Sequence, residues 1–251
     1  MRNIRVVFAV LSLSVVLVAG VADELQAQEK RQGWTKRLRY RRELRRELQG
    51  EIQLSGAFAL YPMAVKWAEE FRKIHPKVRI DISAGGAGKG ITDALAKVVD
   101  LGMVSRDIYP QELEKGAFPI AVVKDAVVPT INSNNPLIDQ ILATGLKQQV
   151  AQDLWIHTTA RTWGDVLGTG STIPVHVYTR SDACGAAETF AAWLGAKQED
   201  LEGTAVFGDP GVTSVVQRDK VGIGFNNIAY AYDINSKKPY RHIAVIPLDL
   251  N

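Results

Sequence analysis

Residues 78–104 read VRIDISAGGAGKGITDALAKVVDLGMV. Val78–Ile82 alternates apolar and polar side chains, the period of a half-buried strand, and Ser83–Gly90 breaks that pattern with small residues. Ile91–Val98 resumes at helical spacing, and Leu101–Val104 is a short apolar run suited to a buried strand. Strand, glycine-rich turn, helix, strand is the unit from which parallel sheets are assembled. The same succession recurs upstream. Glu51–Leu54 predicts a strand, Ser55–Phe58 a turn, and Met63, Ala64, Trp67, Ala68 and Phe71 one face of a helix that stops at His75-Pro76.

Downstream, Ala121–Ile131 is long and β-branched, as expected of a strand crossing between two lobes, and Asn132–Pro136 is a turn cluster. Helices are predicted at Leu137–Leu142, Gln148–Trp155, Trp163–Leu167, Ala183–Leu194 and Val212–Gln217, with Gly208–Gly211 a turn before the last. Strands are predicted at Pro174–Thr179, Val221–Phe225 and Ile243–Pro247. The expected fold class is α/β, with mostly parallel sheets and helices on both faces.

Composition narrows the function classes. The chain has 251 residues, 46% apolar and 23% charged, as in an ordinary globular protein. A single cysteine excludes an internal disulfide framework and any multi-cysteine metal site. The net charge of +3 is unevenly placed, because residues 51–251 hold 19 basic and 22 acidic side chains. Nucleic-acid binding by that part therefore has no electrostatic basis. The first residues look like an export signal, residues 1–22: Arg2 and Arg5 precede the apolar run Val6–Ala19, and Gly20-Val21-Ala22 offers a cleavage site. The run is shorter than the roughly 20 residues that span a bilayer. Residues 23–50, with nine Lys or Arg, are expected to be a basic, poorly ordered linker.

Three strand-to-helix turns carry the candidate chemistry: Ser55-Gly56-Ala57-Phe58, Gly85-Gly86-Ala87-Gly88, and Arg180 through Gly185. Each sets unpaired backbone N–H groups at a helix N-terminus, where the helix dipole also favours negative charge. Small side chains let an anion approach those amides, and Arg180 adds a full positive charge. A shared oxyanion pocket is the resulting expectation.

Other readings of the same residues are weaker. Gly88-Lys89 resembles the end of a nucleotide-binding loop, but Ser83 and Gly90 stand where that loop needs Gly and Ser or Thr. His75, His157, His176 and His242 have no metal-ligand spacing, so neither a metal nor another cofactor is expected. Cys184 at a helix start, or Ser181 beside it, could serve as the nucleophile of an exported hydrolase or transferase, the alternative from another class.

Ser55–Pro62 followed by Lys66–Phe71 resembles the opening of phosphate ABC-transporter substrate-binding proteins. The glycine turn with Val99–Arg106, then Arg180-Ser181-Asp182 with Gly185, and Gly208–Val212 through Gly222–Phe225 resemble further blocks of that family in its order, over roughly residues 51–250. The resemblance implies a two-lobed periplasmic-binding-protein fold of type 2. Its lobes would be 51–128 plus 228–251, and 129–227. It also implies a periplasmic or secreted, non-enzymatic protein that captures an inorganic oxyanion, phosphate above others, for an ABC permease. By position, ligand contacts would come from the amides of Ala57 and Phe58, the Ala87-Gly88 turn, Ser105 or Arg106, Arg180, and the Cys184-Gly185-Ala186 turn, with Ser55, Gly56 and Asp182 completing the set. The family commonly has hydroxyl residues where Ala87, Cys184 and Ala186 stand, and Asp107 and Asp182 are the nearest substitutes for its acidic acceptor. Family members also commonly continue past the equivalent of residues 249–251 with elements that return to the first lobe.

Overall fold

Apolar alternation at Val78 and Ile80 places both on one face of a strand, and Ala68 of the preceding helix closes over them. The structure, a computed structural model, describes residues 48–249. The export signal and all but the last three residues of the basic linker lie outside the described residues. Within them, the elements are β1 (Gln49–Gly56), α1 (Tyr61–Ile74), β2 (Lys77–Ala84), α2 (Ala87–Leu95), β3 (Leu101–Met103), α3 (Pro110–Glu114) and β4 (Val127–Asn132). The chain continues with α4 (Ile138–Thr144), β5 (Leu146–Lys147), α5 (Gln148–Trp155), α6 (Trp163–Leu167), β6 (His176–Arg180), α7 (Gly185–Trp193), β7 (Thr204–Val206), α8 (Gly208–Arg218), β8 (Gly222–Asn227), β9 (Ile243–Val245) and β10 (Leu248–Asp249).

Two larger sheets organise these elements, beside a two-stranded parallel pair of β5 and β10. The first is three-stranded in the order β2-β1-β3, with β3 parallel to β1. Helix α2 lies close against it because Gly56 and Gly90 face each other over the Met103 carbonyl, which a Cβ on either glycine would overlap. Gly56 also holds φ at 132°, a conformation that other residues rarely adopt. The Ser55 hydroxyl then ties the sheet to the helix by donating to Asp93 Oδ2 at 2.6 Å. The second sheet is five-stranded, in the order β7-β6-β8-β4-β9. Its first three strands are mutually parallel, while β4 runs antiparallel to both β8 and β9. Strand β8 is buried along its whole length. Ile223 and Phe225 on one face join Trp155, Trp163 and Phe190, and a Cβ on Gly224 on the other face would meet Val212 and Val216 of α8. Helices therefore cover both faces of this sheet, as the pattern predicts.

Several expectations need correction. The strand expected over Ala121–Ile131 begins only at Val127, and residues 117–126 have no regular structure. A strand needs a hydrogen-bonding neighbour, and among the described residues only one backbone group from elsewhere, the Ile228 amide donating to the Ala126 carbonyl, meets residues 121–126, with Val122 and Val123 half exposed. The helix expected from Ile91 starts at Ala87, so the glycine turn supplies its first residues. Likewise Gly208–Gly211 forms the first turn of α8 and does not precede it. Strands β9 and β10 pair with β4 and β5, respectively.

Candidate functional site

The turns that follow β1, β2 and β6 meet at one place. The Gly88 amide donates to the Ala183 carbonyl at 3.3 Å, joining the turn before α2 to the turn before α7. A Cβ on Gly86 would lie 2.9 Å from the Ala183 carbonyl oxygen and 3.1 Å from Asp182 Oδ2. Gly185 packs so closely on the loop after β3 that a Cβ there would overlap the Ser105 carbonyl. Phe58, after β1, stacks edge-on against Phe207 at 5.8 Å, and the Arg180 guanidinium lies 5.9 Å from its ring centre. The Tyr230 hydroxyl donates to the Phe58 carbonyl at 3.1 Å.

Arg180 is the charged centre of this junction, and its side chain has no exposure to solvent. Asp182 takes it in a fork, Nε to Oδ1 at 2.8 Å and Nη2 to Oδ2 at 2.6 Å, and Asp209 Oδ2 accepts from Nη1 at 2.8 Å. Burial works against the positive charge. The Asp182 hydrogen bonds and the Asp209 charge outweigh that effect and hold the guanidinium above its ordinary range. Asp209 Oδ1 in turn accepts from the Asn227 amide at 2.8 Å and its Nδ2 at 2.9 Å, and Asp182 Oδ1 from the Gly208 amide at 3.0 Å. One guanidinium facing two carboxylates leaves the buried cluster with one net negative charge. Of the five guanidinium N–H bonds, three are used in these contacts, and the other two have no acceptor among the described residues.

The predicted site residues divide into two groups. The Ala57 amide is bound to the Met103 carbonyl at 2.8 Å, and the Cys184 amide to Gln198 Oε1 at 3.2 Å, so both already have acceptors. Ser55 and Gly56 shape the first turn through Asp93 and the close approach of α2. By contrast, the Phe58, Ala87, Gly185 and Ala186 amides have no acceptor among the described residues, the last three because they open helices. The Arg106 side chain is committed elsewhere. It forks onto Glu112 at 2.9 and 2.7 Å and stacks on Tyr109 at 4.0 Å. The Glu112 hydrogen bond raises its pKa despite burial.

Nothing at this junction is arranged as an activated nucleophile. Burial pushes the Cys184 thiol up to about 12 despite the Arg180 charge, and its Sγ accepts from the Ala187 amide at 3.5 Å. No histidine is hydrogen-bonded to it among the described residues. His176 pairs with Asp219, and His242 with Asn134. Ser181 is exposed, its amide donating to the Val206 carbonyl. Among the described residues there is also no group of three or more His, Cys, Asp or Glu that could hold a metal.

Sequence reasoning missed Asp209, which it took for part of a turn. The one available signal was an acidic residue in the first turn of a helix whose apolar face is Val212 and Val216, since a buried carboxylate needs a cation or amide donors. Asn227 and Glu188 carried no local signal, because their partners lie far away in sequence.

Comparison with known proteins accords with this geometry. The family described as PBP superfamily domain matches residues 42–241. A crystal structure from Clostridium perfringens, described as a phosphate ABC transporter substrate-binding protein with bound phosphate, aligns with a TM-score of 0.69 and 25% identity over 80% of this chain and 76% of that one. Phosphate-binding protein PstS of Xylella fastidiosa is 28% identical over 72% of this chain and 54% of its own length. Phosphate-binding protein PstS 2 of Streptococcus pneumoniae is 34% identical over 35% of this chain and 30% of its own. The chain thus spans about half the length, or less, of these two relatives. With the family match extending over most of the sequence and the fold shared, the chain belongs to the PBP superfamily of two-lobed binding proteins.

Proposed function

We propose that this protein is an exported, non-enzymatic receptor. It captures an inorganic oxyanion, phosphate above others, between its two lobes and delivers it to an ABC permease. The observation that carries the reading is the meeting of the turns before α2 and α7, marked by the Gly88 to Ala183 hydrogen bond, beside a buried arginine. The Phe58, Ala87, Gly185 and Ala186 amides and the two remaining Arg180 N–H bonds are the donors. Ser55, Gly56, Ala57, Gly88, Asp182 and Cys184 form the frame. The first lobe comprises β1 to α3, and the second comprises β4 to β10.

The net negative charge around Arg180 bears on ligand choice. A fully ionised anion would be repelled by the second carboxylate, whereas one carrying a proton can donate to it. Phosphate at neutral pH has such a proton and sulfate does not. The relatives described as phosphate-binding support the same choice. Calorimetry on the purified chain with phosphate and with sulfate tests the reading. Saturable heat with phosphate is expected, together with a melting temperature that rises with phosphate concentration, by about 2.7 kcal/mol of stabilisation at 100 times Kd. Absence of both heat and melting shift with millimolar phosphate would contradict it.

A further inference from the structure

Besides the backbone contact at Gly88, the loop after β3 reaches across to α7. The Tyr109 hydroxyl donates to Glu188 Oε1 at 2.9 Å, and Arg106 Nε stands 3.6 Å from Glu188 Oε2. Glu188 lies in the first turn of α7, just after the open Gly185 and Ala186 amides. On the opposite side Arg106 and Tyr109 are held rigidly. Glu112 accepts from both Arg106 Nη atoms, and its Oε2 also accepts from the Tyr109 amide at 2.8 Å. The Arg106 guanidinium lies over the Tyr109 ring, so the two side chains present a single donor surface to Glu188. The Arg106 and Glu112 side chains are only 9% and 15% exposed, which protects that pair from screening.

We propose that Arg106, Tyr109 and Glu188 form a clasp between the lobes that holds the turn before α7 over the oxyanion site, making them positioning residues for the ligand. Arg106 then acts on how long the anion stays, not by touching it. The clasp joins the short loop that leaves the first sheet to the helix whose N-terminus supplies two of the proposed donors. Opening the lobes must break it together with the Gly88 to Ala183 hydrogen bond. Its effect on anion residence rests on the oxyanion-receptor reading above. Its effect on lobe closure does not.

Two variants test it: Tyr109→Phe, which removes one exposed hydroxyl, and Glu188→Gln, which removes the charge at nearly constant volume. In the ligand-free protein, hydrogen exchange at the Gly88 amide should quicken by about two- to tenfold in each variant, the range for a lost hydrogen bond at partial exposure. Exchange in buried β8 should stay unchanged, showing that the fold is intact. Unchanged Gly88 exchange in both variants overturns the clasp, as does a parent protein whose Gly88 already exchanges without protection. Stopped-flow tryptophan fluorescence with inorganic phosphate gives the second readout. Dissociation should quicken by a similar factor with association nearly constant, and equal dissociation rates would overturn the positioning role. A parent that binds no phosphate would defeat the receptor reading, while Gly88 exchange would still report on the clasp.

Discussion

The two sheets are built on different terms. Around the five-stranded sheet, Trp155, Trp163, Phe190 and Phe225 interlock in one cluster, with Phe190 and Phe225 stacked at 4.4 Å. The three-stranded sheet has two small clusters instead, one of Ala57, Ala64, Ala87 and Met103, the other of Ala68, Val78 and Ile80. Val98, between α2 and β3, is 62% exposed, and Phe118 and Ile120, after α3, are 86% and 68% exposed. The second half is held by bulk, and the first by close backbone approach through small residues. In the proposed site both halves would supply anion donors, so it would span a stable wall and a more easily deformed one. That asymmetry suits a receptor in which one lobe moves against another.

Mutations should expose the contrast. Phe225→Ala opens a cavity in the larger core and is expected to cost about 3–5 kcal/mol in urea unfolding. Ile80→Val in the smaller clusters should cost less than Ile223→Val in the larger one, both within about 0.5–1.5 kcal/mol. Equal losses at the two isoleucines would remove the asymmetry. Between these extremes, Gly56→Ala is expected to cost about 1–3 kcal/mol, from strain at its positive φ and overlap with the Met103 carbonyl. Its signature should be faster hydrogen exchange in β1 and β3 with β8 protected. Uniform loss of protection would show that the halves unfold as one.

The smallest effect concerns acid. Arg106 holds the Glu112 carboxyl below its ordinary value of 4.5 against the opposing effect of burial, so folding with Glu112 ionised is favoured at higher pH. That contribution is complete above the ordinary value and fades as pH falls through the lowered one. Glu112→Gln should therefore flatten the stability curve below about pH 4.5 and leave its slope unchanged near neutrality. An unchanged acid limb would remove Glu112 from the account.

Much of this architecture could be read from residues 78–104 alone, because a two-residue period, a glycine turn and a helical period are local properties. The same locality explains what escaped. Residues 121–126 carry the side chains of a strand, but strand formation depends on a neighbour that composition does not reveal. Arg180 was legible as a cation at a turn, yet its burial was not, and its second partner, Asp209, lies 29 positions away and resembled punctuation before a helix. The family resemblance offered Ser105 or Arg106 as a ligand contact, and the Arg106 partners in the fold, Glu112 and Glu188, are set by tertiary packing that no local pattern shows.

The most direct measurement is a nitrogen-15 NMR titration of the chain with inorganic phosphate, following the backbone amides one by one. The account predicts that Phe58 and Ala87 from the first half, and Gly185 and Ala186 from the second, shift together along one saturation curve. Shifts confined to one half, or centred away from these four amides, would contradict it.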